Sequence, residues 1–460
     1  MNEQRARSEV APGPKKAAWG AVVSMMLGVF ALATAEFLPP SVLTPIASDL
    51  GITVALAGQT VTATAALAFA SSLLTPFITR RIDRHNVLLG FSALLIASNL
   101  MVALAPSFAV LLLGRVVLGI AMGGFWAMSI AIVMRLVPES QVARALALVM
   151  SGLGAATIVA APIGSYLGAV IGWRGVFLLA AALGVLALVA QFLTLPRMNP
   201  RGQTHLRTLV EVMQRPRMRS GLVAVLLIFG GNYALFTYVR PFLENVTGVA
   251  VTGVAAILLA FGVANYAGSH LGGWMLQVNT KLTMTLIPLL MGVIGIGLGS
   301  GMGTPITTTA LVAIWGLAFG TVPVAWSTWI THTVPDEAES GGGLLVATIQ
   351  VAIAAGAGVG GIVLNSGGVT SVFGLGGFAL VAAGLFITFA VKPGERPKER
   401  LITRSRRHSR ACGNPVPSRN SLNDKDTGSR ISLRDSGMTS KVRASLSSPR
   451  KSFARKKPPW

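Results

Sequence analysis

Long apolar stretches alternate with short polar breaks along most of this chain. Each stretch holds about twenty or more residues, enough to cross roughly 30 Å of hydrocarbon as a helix. The stretches lie at 18–44, 54–78, 86–105, 108–136, 141–169, 174–195, 220–243, 251–275, 282–301, 306–332, 341–365 and 370–391. Because none shows a strict two-residue alternation, they indicate helices rather than the strands of a barrel. The pattern predicts an all-α membrane protein with twelve transmembrane helices.

The composition supports this class. The 460 residues are 52% hydrophobic and 12% charged, and the mean hydropathy is +0.66, values that a water-soluble fold does not reach. A long basic break separates six stretches from the other six. The predicted divisions are a cytoplasmic N-terminus (1–17), a first six-helix bundle (18–195), a basic cytoplasmic linker (196–219), a second six-helix bundle (220–391) and a basic, disordered tail (392–460).

A short internal repeat relates the two bundles. Gly119, Gly123 and the segment 137–139 align without a gap on Gly316, Gly320 and the segment 334–336. This alignment superposes the fourth stretch on the tenth. We therefore expect two pseudo-symmetric halves with a site at their interface near the membrane midplane.

Basic residues are sorted to one side of the predicted membrane. They occupy alternate breaks and the N-terminus, at Arg5, Arg7, Lys15, Lys16, Arg80, Arg81, Arg84, Arg135, Arg144, Arg197, Arg201, Arg207, Arg215, Arg217 and Arg219. The breaks at 47–51, 105–107 and 299–305 contain no lysine or arginine. By the positive-inside rule both termini are cytoplasmic.

The tail after residue 391 carries much of the positive charge. It has 19 lysines and arginines against 5 acidic residues, so it supplies 14 of the net charge of +22. Attraction to anionic lipid explains such a tail better than specific nucleic-acid recognition does, and we expect no specific nucleic-acid partner. Cys412, in this tail, is the single cysteine, so no intrachain disulfide is possible.

A few polar residues interrupt the apolar stretches and are candidates for function. Glu36, within ATAEFLPP (33–40), costs about 3 kcal/mol at mid-membrane depth and needs a partner or a role. Arg115 interrupts the fourth stretch, where it has either a functional role or a place at the membrane interface. Asp83 and Arg84 belong to a charge network that either gates a cytoplasmic opening or only sets topology. Pro162 predicts a kink in the fifth stretch.

Other candidates suit a planar polar ligand. Asn232, Tyr233 and Gln350 offer hydrogen-bonding groups inside predicted helices, and Trp326 offers an aromatic face;. The alternative is that these aromatic side chains only pack. The sequence has no phosphate-binding P-loop and no metal-ligand spacing, so we expect no enzyme, metal or cofactor.

Several stretches together resemble the twelve-helix drug:proton antiporter family of the major facilitator superfamily. The resemblance lies in EFLPPSVLTPIASDLGI (36–52), AGQTVTATAAL (57–67), DRHNVLL (83–89), GRVVLGIAMGGFWAMS (114–129), APIGSYLG (161–168) and GWRGVF (172–177). It implies the major facilitator fold, alternating access and a place in the bacterial inner membrane. Within the family the chain is similar to exporters of purine ribonucleosides. That likeness implies export of inosine and guanosine in exchange for protons, by a monomer that contacts membrane lipid.

The resemblance also implies roles for particular residues. Glu36 matches the family's first-helix acidic residue and Arg115 its fourth-helix arginine, so both are candidates for proton coupling. Pro162 matches the proline of the antiporter motif, although Ala161 stands where that motif has glycine. From their helix positions rather than from the resemblance, Phe125 and Trp126, with Tyr233 and Trp326, are expected to sandwich the base, while Asn232 and Gln350 bond its polar edge. A sugar or multidrug exporter of the same family remains an alternative, as does a membrane sensor or scaffold without transport activity.

Overall fold

The computed structural model describes residues 17–198, 206–301 and 303–391. The predicted tail (392–460), with Cys412, and most of the predicted N-terminus lie outside the described residues, as does part of the predicted linker. The helices of the described residues are α1 (Trp19–Leu50), α2 (Val54–Ile78), α3 (Arg84–Ala103), α4 (Phe108–Leu136), α5 (Val142–Val170), α6 (Gly172–Thr194), α7 (Leu206–Gln214), α8 (Pro216–Thr237), α9 (Val239–Asn245), α10 (Val251–Gly299), α11 (Pro305–Thr333) and α12 (Ala338–Ala390).

Ten of the described helices are long and apolar enough to cross a membrane. Two of the ten, α10 with 49 residues and α12 with 53, would extend about 75–80 Å at 1.5 Å per residue, more than twice the thickness of the hydrocarbon core;. Each contains a residue outside helical geometry, Asn279 in α10 and Gly368, with φ +76°, in α12. Each therefore comprises two spans. The prediction of an all-α protein with twelve spans is confirmed.

The breaks inside α10 and α12 have local causes. The Asn279 side chain accepts a hydrogen bond from the backbone N–H of Leu282 at 3.0 Å, so it caps the second span of α10 as an N-cap residue does;. Gly368 adopts a left-handed backbone that residues with a side chain rarely adopt;. The chain therefore turns at these two positions with almost no loop.

Because the connections are short, consecutive spans run in opposite directions. The first span begins, and the last ends, on one side of the bundle, which we call the near side. The opposite side, with the turns at 51–53, 104–107, 171, 246–250, 300–304 and 368, is the far side. The segment between the two halves, predicted as a linker, contains the short helix α7 on the near side, and α8 then begins at Pro216.

Two glycine seams repeat between the halves. Gly119 and Gly123 of α4 lie against the backbone oxygens of Thr64 and Ala68 in α2, so closely that a methyl group would overlap these atoms. In the second half, glycines of α11 contact oxygens of α10 in the same way: Gly316 at Phe261 and Gly320 at Asn265. Each of these four second-half residues lies 197 positions after its first-half counterpart. The internal repeat seen in the sequence is therefore a repeat of helix packing.

The buried apolar side chains form two clusters that differ in position. One contains first-half residues from the near part of the bundle, such as Val29 and Phe125, and Met198 just after them. The other joins the second half to far-side residues of the first half, such as Leu43 and Val61. Among the described residues, the buried cluster shared by the two halves thus lies toward the far side.

Candidate functional site

α1 is the helix around which the site is built, and it contains three prolines. Each lacks the N–H that would bond the carbonyl four residues earlier. The affected pairs are Pro39 with the carbonyl of Ala35, Pro40 with that of Glu36 and Pro45 with that of Ser41. α1 therefore exposes backbone acceptors in the middle of an apolar bundle.

Arg115 of α4 forms a hydrogen bond to the first of these carbonyls, that of Ala35. Its Nη1 donates to the Ala35 oxygen at 2.9 Å, and only 1% of the residue is exposed. The Nε–H of Arg115 has no hydrogen-bond partner among the described residues. The arginine is therefore fully buried and does not lie at a membrane interface, one of the two alternatives for it. It also retains an unused donor.

Glu36 and Arg115 lie close enough to interact electrostatically. The Glu36 carboxyl forms no hydrogen bond or ion pair with a described residue, and the residue retains partial accessibility. Its charge also acts on the hydroxyl of Tyr233, on α8 of the second half. The structure thus brings the two predicted charged residues together without a direct bond, and it adds Tyr233 to their surroundings.

Arg240, in α9, was not among the sequence candidates. Its Nη1 donates to the Ser41 carbonyl, which Pro45 leaves without a helical donor, and its Nε bonds Glu244 at 2.7 Å. The residue is 3% exposed. Ser41 belongs to the first half and Arg240 to the second, so this bond joins the halves toward the far side. The sequence signal for such a carbonyl acceptor is a proline inside an apolar helix, because the carbonyl four residues before it has no helical N–H donor.

A narrow cavity lies between the two halves. α1 and α5 contribute one wall, and α8, α10 and α11 the other. The lining residues are Phe37, Thr157, Ala161, Asn232, Tyr233, Phe236, Phe261, Asn265 and Phe319. Phe37 packs edge-on against Phe236 across the interface, with 6.0 Å between ring centroids. The cavity therefore combines several aromatic faces with two amide side chains.

Asn232 of α8 is oriented by a second buried residue. The indole N–H of Trp315, in α11, donates to Asn232 Oδ1 at 2.9 Å. Neither residue is more than 1% exposed. Trp315 packs against Phe261 and Phe236, both of which line the cavity.

The other predicted ligand-binding residues lie elsewhere. Phe125 is fully buried and contacts Gly28 of α1, and Trp126 packs on the same near-side core of the first half. Trp326 lines a separate small cavity within the second half, between α8, α10 and α11. Gln350 of α12 is buried, and its Oε1 has no partner among the described residues, but it does not line the central cavity. Of this set, the structure brings together only Asn232 and Tyr233 at the cavity.

Asp83 and Arg84 form hydrogen bonds at the near side of the first half. Asp83 Oδ1 accepts from the backbone N–H groups of His85 and Met198, both at 2.9 Å. Burial alone would raise the pKa of Asp83, but these hydrogen bonds stabilise the ionised form, and the net pKa lies below its ordinary value;. Arg84 Nη1 donates to Thr79 at 2.8 Å. This network fastens the start of α3 to the segment that follows α6.

Pro162 lies in α5, which continues as a helix through it. The preceding residue, Ala161, lines the cavity. About one turn away along α5, Gly262 of α10 lies so close to the backbone at Thr157 and Ile158 that a methyl group there would overlap it. Pro162 therefore lies where α5 forms both the cavity wall and the contact with the second half.

Two repeated halves of six spans, enclosing a largely aromatic cavity with two amides near buried charges, are the architecture of a secondary transporter;. The family model of the Major Facilitator Superfamily matches residues 25–349. The chain belongs to the major facilitator superfamily, and it is a multi-pass membrane protein.

Curated relatives and a solved structure agree with this membership. A relative from Salmonella enteritidis PT4, strain P125109, named purine ribonucleoside efflux pump NepI, is 42% identical over 85% of this chain and 99% of its own. The protein of the same name from Salmonella typhimurium, strain LT2, is 41% identical over the same shares. A bacterial homolog of the human lysosomal transporter Spinster, solved in an inward-facing and unoccupied conformation, has a TM-score of 0.61 at 19% identity. That match covers 82% of this chain and 96% of the Spinster homolog, and it shows the same fold.

Proposed function

We propose that this protein exports purine ribonucleosides such as inosine and guanosine from the cytoplasm in exchange for protons. It acts as a monomer in the bacterial inner membrane, with both termini in the cytoplasm. The observation that carries the proposal is the cavity between the halves, which combines aromatic faces with two amides. The names of relatives that are 41–42% identical over almost their whole length support this substrate class.

A purine has flat apolar faces and polar edges, and the cavity offers a complement to both. Aromatic rings such as Phe236, Phe261 and Tyr233 provide surfaces on which a base stacks;. Asn232 and Asn265 provide amide groups for the edge of the base, and Asn265 makes no side-chain hydrogen bond to a described residue. The nucleoside therefore lies between the first and second halves, where movement of one half against the other opens or closes its route.

Proton coupling requires a group that changes charge between the two access states. Glu36 meets this requirement because it lies next to the cavity wall formed by Phe37 and makes no fixed bond to a described residue. The positive charge of Arg115 lies close to it. A proton arriving from the outside neutralises Glu36 in competition with nucleoside binding. Its release to the cytoplasm resets the carrier.

The experiment is transport into or out of proteoliposomes under an imposed proton gradient. Radiolabelled inosine and guanosine should accumulate against their gradients when the wild-type protein is present. The Glu36→Gln variant should lose accumulation, because a permanently neutral side chain cannot exchange a proton for nucleoside. Glu139→Gln, at an exposed turn on the near side, is the matched control. Accumulation and normal proton movement by Glu36→Gln would contradict the coupling role.

The same vesicles distinguish the alternatives. Transport of chloramphenicol, arabinose or a lipophilic cation without transport of inosine would favour a drug or sugar exporter. A scaffold moves no nucleoside, and truncation from Pro393 should abolish its role, whereas an exporter truncated there should still transport.

A further inference from the structure

We propose that Trp315 fixes the side-chain amide of Asn232 with its NH₂ group toward the cavity, so that Asn232 selects purines with an oxygen acceptor at C6. The inference rests on the proposed function and specifies which polar edge the site recognises. Asn232 would contact the ligand, and Trp315 would be a positioning residue.

The first step concerns which amide atom faces Trp315. An indole nitrogen carries a hydrogen and can only donate, so the atom 2.9 Å away must be the amide oxygen;. The opposite amide orientation would set an NH₂ against an N–H in a buried position. Trp315 cannot easily move away, because its ring packs against Phe261, with 5.0 Å between centroids, and against Phe236. The bond therefore fixes the direction of the amide.

The second step concerns the group that remains for a ligand. Asn232 lines the cavity, and its NH₂ group makes no hydrogen bond to a described residue. The oxygen is turned toward Trp315. Asn232 thus presents the cavity with a donor, whereas an unrestrained asparagine would offer either a donor or an acceptor.

The third step is the chemistry of the purine edge. Guanine and hypoxanthine carry acceptors at both O6 and N7, while adenine carries a donor amino group at C6 beside N7. Asparagine normally recognises adenine by using its oxygen and its NH₂ together. With the oxygen occupied by Trp315, that pairing is lost, and the NH₂ of Asn232 meets the adenine amino group as donor against donor. Inosine and guanosine are therefore favoured over adenosine.

The test is competition binding to the purified full-length protein. Labelled inosine is displaced by unlabelled inosine, guanosine or adenosine, and the ratio of adenosine to inosine dissociation constants is measured. We expect a ratio of about ten or more in the wild type, in the range for one good base-edge contact. Trp315→Phe keeps an aromatic ring but removes the donor, and the ratio should fall to below about three. Trp329→Phe, at another buried tryptophan of α11, should leave the ratio unchanged.

A second variant keeps the inference testable if Trp315→Phe fails to fold. Asn232→Asp still accepts from Trp315 but presents only an acceptor to the cavity, so its preference should shift toward adenosine. Equal binding of inosine and adenosine by the wild type, or a ratio that neither variant changes, would overturn the inference while nucleoside transport stands. Absence of any nucleoside binding would overturn the proposed function together with the inference.

Discussion

Replacing Arg240 by methionine removes the hydrogen bond that joins the two halves toward the far side, and we expect that side to open more often. The guanidinium donates to the Ser41 carbonyl of the opposite half. Because Pro45 has no N–H, α1 offers this carbonyl no helical donor in place of Arg240;. Methionine is unbranched like the arginine stem and fills much of its volume without the charge.

The magnitude follows from the kind of bond that is lost. A hydrogen bond to a charged group contributes about 1.5–3 kcal/mol net. If the bond exists only when the far side is closed, its loss shifts the ratio of closed to open molecules by roughly 10- to 150-fold, since about 1.4 kcal/mol corresponds to tenfold. The pair of Arg240 with Glu244 lies within α9, so opening of the far side need not break it.

The assay is the rate at which a membrane-impermeant maleimide labels a cysteine between the halves. Gly358 suits this purpose because a Cβ there meets Thr62 of the first half at an ordinary 3.5 Å. The parent protein carries Cys412→Ser and Gly358→Cys. Under the proposed orientation the far side is periplasmic, so reagent added to intact cells reaches it directly. Arg240→Met should raise the labelling rate at least tenfold.

Arg174 provides a matched control on the same side. It pairs with Asp49 and donates to the Ala105 carbonyl at 3.0 Å, and all three belong to the first half. Arg174→Met therefore removes a charge and an ion pair without separating the halves, and labelling should stay near the parent rate. The reasoning is refuted if Arg240→Met labels within twofold of the parent, or if both variants raise labelling equally.

Two stability predictions follow from the packing and from the near-side network. Gly123→Ala places a methyl group against the backbone of α2 and should lower the free energy of unfolding by about 1–3 kcal/mol;. Gly297→Ala, with no atom within 4 Å of the new Cβ, is the control and should leave the melting temperature unchanged or higher. Equal melting temperatures for the two variants in detergent would refute this. Asp83→Ala should lower the melting temperature at neutral pH. Since the folded pKa of Asp83 lies below 3.8, this difference should persist above pH 4 and disappear as the pH falls through the folded pKa; a difference independent of pH would contradict it.

The sequence predicted the class and the span positions well because both depend on local apolar composition. It could not predict how short the breaks inside α10 and α12 are, since Asn279 and Gly368 each turn the chain in a single residue. The same limit applies to the helix α7, which lies inside a segment predicted as a linker.

Prediction of the site was more limited, because burial between helices is not a local property. Glu36 and Arg115 are recognisable as charges within apolar stretches, and they lie near each other. Arg240 has the same chemistry but lies near the end of a span, where an arginine is ordinarily an interfacial anchor. Trp126 and Tyr233 are both aromatic residues within helices, and only the packing of the halves separates the one in the first-half core from the one at the cavity.

The backbone acceptors of α1 have a consequence for how this protein tolerates change during evolution. Arg115 and Arg240 bind the main chain at Ala35 and Ser41, so the contacts do not depend on which side chains occupy those two positions. They depend on the prolines four residues later, which leave these carbonyls without a helical N–H donor. Among descendants of this chain, each arginine is therefore tied to a proline on another helix, and the arginine and the proline should be kept or lost as a pair.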